Sequence, residues 1–453
     1  MGLLWDNELL NVVQMAAGFF SVFCAFNSQS FIEETVINSA SKRGDIDQQA
    51  GYISLAIIYG VFTISNFAAA PFVNLIGAKW GMLFGAVCYT AFEAGFLWLN
   101  QTYLYISSAV MGVGAAVIWT AQGNYLALNS TEANSKRNSG VFWGISQSCL
   151  AIGGIFLFLV FRNSGETISD TTVKTVYGVF TGITIVGVIT LGLLRIPPRV
   201  VTGESKNDEL SHKQLLVSTF KLIPTKEMLL MSAVFIYSGI ELSFWSGIYP
   251  TSIAFTRKMG MNRNALVGLN AIAQGLGQFI GGLLFGILGD KMKRLGREPV
   301  ILLATIVHIL TFVAVFINLP SEAALAHTDE ISLIQPSIVL ALVCGGFLTF
   351  GDACWNTQIY GFLIDNFKGK SAQAFALFKF YQSALACAAF FYGTKLELRW
   401  HLVILAVTVV IAAGCFFLAE FVVRRKQGDF EVGLSTDTNE ERVAYDNNVE
   451  EDK

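Results

Sequence analysis

The chain has 453 residues, of which 53% are hydrophobic and only 14% are charged, with a formal net charge of −3. Soluble domains carry roughly 25% charged residues, so this composition excludes an ordinary soluble protein and favours one that crosses a membrane many times. No stretch interleaves basic and aromatic residues as a nucleic-acid surface does, and we expect no nucleic-acid partner.

Apolar stretches of about 20 residues or more recur along the chain, and this is the length that a helix needs to cross a bilayer. A transmembrane barrel strand needs only about ten residues and alternates in polarity, so helices fit better. We therefore predict an all-α polytopic membrane protein with twelve transmembrane helices, embedded in the lipid bilayer. The stretches lie near 9–31, 50–75, 80–99, 103–127, 139–161, 173–195, 228–254, 264–288, 298–319, 336–362, 370–393 and 399–423.

A polar segment at 196–227 interrupts the apolar rhythm and is predicted to be a cytosolic linker. It separates an N-terminal six-helix half at 1–195 from a C-terminal six-helix half at 228–423. Residues 424–453 are rich in Asp and Glu and poor in apolar side chains, so they cannot bury a core. We predict that this tail is disordered and cytosolic.

The positive-inside rule gives the orientation. With both termini in the cytosol, loop and tail Lys and Arg on that side outnumber those on the other by about two to one, which is the expected bias. The sequence does not indicate which membrane holds the chain. In this orientation Asn100 begins an Asn-Gln-Thr sequon in an outer loop, which makes it a glycosylation candidate.

Two short matches suggest that the halves are repeats. Residues 119–122 (WTAQ) in the fourth span recur as 355–358 (WNTQ) in the tenth. The Gln-Ser pair at 147–148 in the fifth span recurs at 382–383 in the eleventh. Parallel six-span repeats are the architecture of the major facilitator superfamily, whose substrate site lies between the halves near the midplane.

The loop at 289–297 resembles a cytosolic motif of that superfamily, a glycine and an acid followed by basic residues. Its acid can pair with a neighbouring helix end, and its cations can meet helix C-termini. Positive-inside charge alone is the alternative explanation. The first-half counterpart at 77–81 lacks the acid and most of the cations, so a latch there is in doubt. The candidate residues are Gly289, Asp290, Lys291, Arg294 and Arg297.

Further segments resemble one family, the "uncoordinated ninety-three"-like branch of the major facilitator superfamily, also called the ion-channel-regulatory-protein group. Within it, the subgroup called major facilitator domain-containing protein eleven is the most similar. The resemblance covers residues 10–423 and implies a twelve-helix fold. Some members of the branch regulate a potassium channel or escort receptors, and transport activity is uncertain. The segments are 57–60, 119–124, 137–140, 239–242, 351–358 and 378–380.

Asp352 and Lys379 stand inside the tenth and eleventh spans. Each lies about nine or ten residues from the same membrane face, which at roughly 1.5 Å per residue puts them at the same depth. A charge in hydrocarbon costs several kcal/mol unless it is paired or faces water. We expect an ion pair between these two helices, which either breaks during gating or serves as a permanent clamp.

Glu241 lies near the midpoint of the seventh span, too deep to reach an interface by snorkelling. Such an acid suits proton coupling or solute contact, and a structural hydrogen-bonded acid is the alternative. Asn356 lies one turn from Asp352, and Gln358 lies further along the same span. Gln382 follows Lys379 on the same helix face. These amides either line a cavity or satisfy each other.

The first half offers weaker candidates. Gln122, Asn124 and Gln147 are candidates for a polar lining, and hydrogen bonds between helices explain them equally well. Glu33 and Glu34 are expected at the outer interface, beyond the end of the first span.

Two functional hypotheses remain. The first is a secondary transporter or facilitator of an unknown small solute, with or without proton coupling, in which Glu241, Asp352 and Lys379 carry coupling or gating. The second is a non-transporting partner that regulates or traffics an ion channel or a receptor. His308 is expected to be a satisfied core histidine rather than a proton relay. Enzyme motifs are absent, so we expect no enzyme, no cofactor and no metal.

Overall fold

The computed structural model describes the backbone of residues 7–44, 46–130, 135–162, 167–196, 217, 219–260, 262–367 and 370–451. Side chains are described in the same ranges except at 135–137, 139–140, 283–295, 371–372 and 427–451. Nearly all of this backbone is helical, as the long apolar stretches predict.

Twelve long helices follow one another in the described residues, which agrees with the predicted all-α fold. The first six are α1 Asn7–Ser41, α2 Ala50–Ile76, α3 Ala78–Gly95, α4 Gln101–Leu128, α5 Ser135–Phe161 and α6 Asp170–Gly192. The second six are α7 Lys226–Phe255, α8 Arg263–Leu295, α9 Glu298–Asn318, α10 Ile338–Asn366, α11 Ser371–Gly393 and α12 Leu398–Glu451.

The helices are long and apolar enough to span a bilayer. Among the described residues, eleven of them contain an apolar window of spanning length. For the twelfth, α8, the side chains of 283–295 lie outside the described residues. Large apolar side chains such as Ile64, Leu75 and Val339 stay exposed after folding. Exposed apolar surface of this extent needs lipid around it, so the chain is an integral multi-pass membrane protein.

The two halves repeat one packing pattern. In the first half α1 packs against α5 and α6, α2 against α4, and α3 against α4 and α6. In the second half α7 packs against α11 and α12, α8 against α10, and α9 against α10 and α12. Each of these five contacts of the first half therefore recurs six helices later. The contacts between the halves obey the same symmetry, because α5 packs on α8 and α2 packs on α11.

Helix α8 touches both halves through small residues. A Cβ atom built on Gly154 of α5 would lie 2.7 Å from the backbone nitrogen of Ile272 in α8. On another face of α8, a Cβ atom on Gly281 would lie 2.6 Å from the Cβ atom of Ala353 in α10. Glycines at such contacts let helix backbones approach closely. The Gly-x-x-x-Gly spacing at 277–281 is thus used for close packing.

The bundle has a linker end, where α6 leads toward α7, and a far end opposite to it. At the far end the two halves are joined by hydrogen bonds. The Gln49 side-chain amide donates to the Thr394 carbonyl oxygen at 2.7 Å, and the Tyr52 hydroxyl donates to the Ala324 carbonyl oxygen at 3.0 Å. The conformation is therefore one in which the halves meet at the far end.

Helix α12 differs from the predicted tail. Its backbone is helical as far as Glu451, through residues that composition predicts to be disordered. The composition rule concerns whether a segment can bury a core, and a single helix needs no core of its own. Glu and Arg, which favour helices, recur in this stretch.

Candidate functional site

Polar side chains from α7, α8, α9, α10 and α11 meet inside the C-terminal half, and we call them the C-half cluster. All are buried or half-buried. The C-half cluster consists of Tyr237, Ser238, Glu241, Gln278, His308, Asp352, Asn356, Lys379 and Gln382.

The centre of the C-half cluster is a pair of carboxyl groups. Glu241 on α7 and Asp352 on α10 are hydrogen-bonded to each other through their side chains, and their exposed fractions are 1% and 6%. The Gln278 amide donates to Oδ2 of Asp352 at 2.6 Å, and the Asn356 amide donates to Oδ1 at 2.8 Å. A carboxylate has no hydrogen to donate, so a hydrogen bond between two carboxyl groups needs a proton on one of them.

His308 lies beside this pair. Its Nε2 is 2.9 Å from the Leu348 carbonyl oxygen and 3.9 Å from Oε1 of Glu241. The Tyr237 hydroxyl contacts Nδ1. A carbonyl oxygen can only accept, so Nε2 carries the hydrogen and Nδ1 accepts from the tyrosine. Both ring nitrogens are satisfied in a neutral ring, which agrees with the expected core histidine. The Trp245 side chain also lies against the Glu241 carboxyl group, although Oε1 of Glu241 has no partner of close hydrogen-bond geometry among the described residues.

Lys379 does not form the predicted ion pair. Its Nζ donates to Oε1 of Gln382 at 2.8 Å and lies 4.8 Å from the centroid of the Phe378 ring. Gln382 in turn donates to the Ser238 hydroxyl at 2.8 Å. Among the ion pairs of the described residues, none joins Lys379 to Asp352, on which the lysine acts only through a longer-range charge interaction. Equal depth in two helices does not fix the direction of their side chains, and a nearby amide holds the ammonium group instead.

Two glycines let the helices of the C-half cluster come together. A side chain at Gly239 would overlap the Gln382 carbonyl oxygen of α11, and one at Gly351 would overlap the His308 ring. Both glycines belong to segments that carry the family resemblance, at 239–242 and 351–358. Their role in the structure is to allow close approach at the polar centre.

The α-helical geometry of α7 changes just after Glu241. Residues Phe244–Ile248 form a π-helical turn, and the helix then resumes at Tyr249. The Gln274 side chain on α8 donates to the Trp245 carbonyl oxygen within this turn at 2.9 Å. Such π turns are frequent at functional sites, which draws attention to the same region of α7.

The other predicted lining residues lie apart from the C-half cluster. Gln358 donates to its neighbour Thr357 at 3.2 Å. Gln122 is buried in α4, Asn124 is half-buried, and Gln147 is exposed. In the described part of the chain, none of the four amides is hydrogen-bonded to the C-half cluster. Whether they line a solute path stays a prediction.

One member of the predicted loop motif, Arg297, is described with its side chain. It pairs with Asp365, donates to Oε1 of Glu420 at 2.6 Å, and contacts the Gly361 carbonyl oxygen at 3.3 Å. Asp365 and Gly361 lie in the last turns of α10, so this cation meets a helix C-terminus as the motif predicts. The remaining members lie outside the described side chains: Gly289, Asp290, Lys291 and Arg294.

Asn100 is exposed at the far end of the bundle, where it caps α4. Its side-chain oxygen accepts from the Tyr103 backbone N–H at 3.1 Å. This is the usual role of Asn at a helix N-cap. Glycosylation at this residue stays a prediction.

Sequence reasoning missed a second buried group of acids, in the N-terminal half. The exposed fractions of Glu33, Glu34 and Glu93 are 0%, 4% and 0%. The expected interfacial position of Glu33 and Glu34 is therefore wrong. The cause is that α1 continues to Ser41 instead of ending near residue 31, so both acids lie inside the bundle. The small and apolar residues at 35–40 could have indicated that this helix continues past residue 31.

The Glu34 carboxylate caps the start of α2. Its Oε2 accepts from the Tyr52 backbone N–H at 3.0 Å, in the first turn of that helix. A Cβ atom on Gly51 would lie 2.5 Å from the same oxygen, so only glycine allows this approach. A carboxyl oxygen at this place satisfies one of the backbone N–H groups that the start of a helix leaves unpaired. Glu34 therefore has a structural role beside the far-end contact between the halves.

Comparison with solved structures identifies the fold. The nucleoside transporter NupG (D323A mutant) superposes with a TM-score of 0.66 at 14% identity, covering 91% of this chain and 100% of that one. FucP, a major facilitator superfamily transporter in the outward conformation, superposes with a TM-score of 0.60 at 15% identity, covering 92% of this chain and 99% of that one. The expected major facilitator fold is therefore confirmed.

Sequence comparisons give the family. UNC93-like protein MFSD11 of Xenopus laevis is 38% identical over 438 residues, which cover 92% of this chain and 97% of that protein. Protein unc-93 homolog A of Homo sapiens is 25% identical over 461 residues, covering 92% and 94%. The family model described as ion channel regulatory protein UNC-93 matches residues 42–417. The chain therefore belongs to the UNC-93 family of membrane proteins with the major facilitator fold, as the sequence motifs indicate.

Proposed function

We propose that the chain is a proton-coupled secondary transporter of a small solute, which alternates access between its two halves. The observation that carries this proposal is the hydrogen-bonded pair of Glu241 and Asp352. Both oxygens of Asp352 accept from amides, which stabilises its charged form. The shared proton therefore belongs on Glu241.

Release of this proton would place two negative charges side by side in a site that excludes water. Such an arrangement is unfavourable unless a cation approaches. Lys379 is the described cation that acts on Asp352. We assign it a movement from Gln382 toward Asp352 when the proton leaves. The ion pair predicted from the sequence would then be the deprotonated state of the same site.

This movement would reach the interface between the halves. Lys379 lies on α11, which packs against α2 of the N-terminal half. A side chain that exchanges a partner on α11 for one on α10 changes the contacts of an interface helix. Proton loss and rearrangement of the halves are in this way coupled through one residue.

The test is solute uptake into proteoliposomes that contain the purified chain, with and without an imposed pH gradient. We expect the wild-type chain to accumulate at least one solute of a broad panel when the gradient is present. Glu241→Gln should lose gradient-driven accumulation, because the amide cannot release a proton. Glu330→Gln, which neutralises an exposed acid of the loop after α9, is the matched control and should accumulate solute normally. Equal accumulation by Glu241→Gln and the wild type would contradict the proposal.

A second candidate function has support from the description of the family model, ion channel regulatory protein. In this alternative the chain binds an ion channel or a receptor in the membrane and moves no solute. Both termini would face the cytosol, beside the linker. A stable complex with a channel, together with no uptake across the solute panel at any pH gradient, would favour this function over transport.

A further inference from the structure

A group of oxygen-bearing side chains lies between α1, α2, α3 and α6, and the proposed proton site does not involve it. The Gln29 amide donates to Oε2 of Glu33 at 2.6 Å, and Ser54 is hydrogen-bonded to the same carboxyl group. Tyr177 lies beside Gln29 and interacts with Glu93, which in turn interacts with Glu33. We call Gln29, Glu33, Glu93 and Tyr177 the N-half cluster.

The N-half cluster has more acceptors than donors. All four side chains have an exposed fraction of 0%. Within the described residues, Oε1 of Glu33 and both carboxyl oxygens of Glu93 have no hydrogen-bond partner, whereas the Tyr177 hydroxyl is hydrogen-bonded to the Gln29 side chain. Buried polar atoms are nearly always satisfied, so each orphaned oxygen needs an explanation. Three carboxyl oxygens in one place indicate a bound species that interacts with oxygen atoms.

The charge of the N-half cluster indicates the sign of that species. The charged neighbour that acts on Glu93 in the described structure is another acid, Glu33. When these two carboxyl groups are ionised they attract a cation, because no basic partner balances their charge in the described structure. Hard cations favour carboxylate, amide and hydroxyl oxygens as ligands, whereas soft transition metals favour other ligand types.

The number of acids points to a monovalent ion. No group of three or more His, Cys, Asp or Glu is placed to hold a metal in the part of the chain that the structure describes. Calcium typically takes six to eight oxygen ligands, often from several carboxylates. The two carboxyl groups, one amide and one hydroxyl of the N-half cluster provide fewer oxygen ligands and less negative charge than such a calcium site.

We propose that the N-half cluster is a sodium site, in which Glu33, Glu93, the Gln29 side-chain oxygen and the Tyr177 hydroxyl bind one sodium ion. The site lies in the N-terminal half and shares no residue with the C-half cluster. It therefore goes beyond the proposed proton coupling, and its test needs no solute.

The experiment measures sodium binding to the full purified chain in detergent. Sodium chloride replaces choline chloride at constant ionic strength and pH, with potassium chloride as a second series, while the melting temperature is followed. A ligand that binds only the folded state raises stability in a saturable way. We expect such a rise in sodium alone, and retention of radiolabelled sodium by the wild-type chain.

Variants locate the site. Glu93→Gln removes one charge, and Tyr177→Phe removes only a hydroxyl while keeping the ring that stacks on Phe96 with centroids 4.2 Å apart. Each should lower the apparent sodium affinity by about tenfold or more, which is the effect of losing roughly 1.4 kcal/mol of binding. Glu330→Gln is the matched control and should bind as the wild type does. The proposal is overturned if sodium and choline give equal melting temperatures, or if both cluster variants bind labelled sodium with unchanged affinity.

Discussion

The two halves of the molecule bury acids in contrasting surroundings. In the C-half cluster, Asp352 receives two amide hydrogen bonds and shares a third with Glu241, and a lysine lies within charge range. In the N-half cluster, Glu93 has both oxygens without a partner in the described structure. A site rich in donors holds a carboxylate and one proton, whereas a site rich in acceptors favours a cation. Similar acids in two repeated halves can thus serve different ligands.

The two halves also differ at the linker end. The second half has an ion cluster there, formed by Arg297 with Asp365 and Glu420. The corresponding first-half loop at 77–81 lacks the residues for such a cluster. Arg297→Ala should cause the largest loss of stability, because the Glu420 carboxylate, 4% exposed, loses its nearer cation and keeps only Arg424 at 4.0 Å. We expect a fall of about 3 kcal/mol in the free energy of unfolding. Reversible unfolding in mixed micelles measures it.

Arg399→Ala is the matched control for this prediction. Its partner Glu397 and the arginine itself are 34% and 52% exposed, and an exposed pair contributes less than about 1 kcal/mol. Equal losses for Arg297→Ala and Arg399→Ala would show that the ion cluster at the linker end does not stabilise the second half.

A smaller effect is expected where α7 meets α11. Gly239→Ala should lower the free energy of unfolding by about 1–3 kcal/mol, because the added methyl group overlaps the Gln382 carbonyl oxygen. Thermal unfolding of the purified variant checks this. Gly414→Ala has no atom within 4 Å of the added carbon and should change stability by less than about 0.5 kcal/mol. If both variants behave alike, α7 and α11 are not in close contact at the C-half cluster.

The smallest effect is expected for Lys379→Met. Its ammonium group contacts a neutral amide and an aromatic ring, so we expect a loss of about 1 kcal/mol or less. Breaking a buried ion pair would cost about 3–5 kcal/mol instead. A double-mutant cycle with Asp352→Asn measures the coupling directly. A coupling free energy of several kcal/mol would indicate the ion pair predicted from the sequence and contradict the observed geometry.

Hydropathy and internal repeats predict the fold well, because a bilayer imposes length and polarity on every spanning helix. They also identify Glu241, Asp352 and Lys379, since a charge within an apolar span is conspicuous. They do not reveal which of these side chains meet, because the rotation of each helix is set by packing. Gln278 and Tyr237 were missed for that reason, as neither is unusual in a membrane helix.

The N-half cluster was missed for a different reason. The apolar stretch of the first span weakens near residue 31, whereas α1 continues to Ser41 because its polar side chains are buried by neighbouring helices. Membrane boundaries derived from hydropathy therefore place Glu33 outside the bundle in which it is buried. Packing between helices, and not hydropathy, decides where the polar part of such a helix lies.

The proton shared by Glu241 and Asp352 is tested most directly by infrared difference spectroscopy of the purified chain, which detects the carbonyl stretch of a protonated carboxylic acid. We expect such a band in the wild type and in Glu330→Gln, and its loss in Glu241→Gln. An undiminished band in Glu241→Gln would contradict the claim that Glu241 holds the proton of the carboxyl pair.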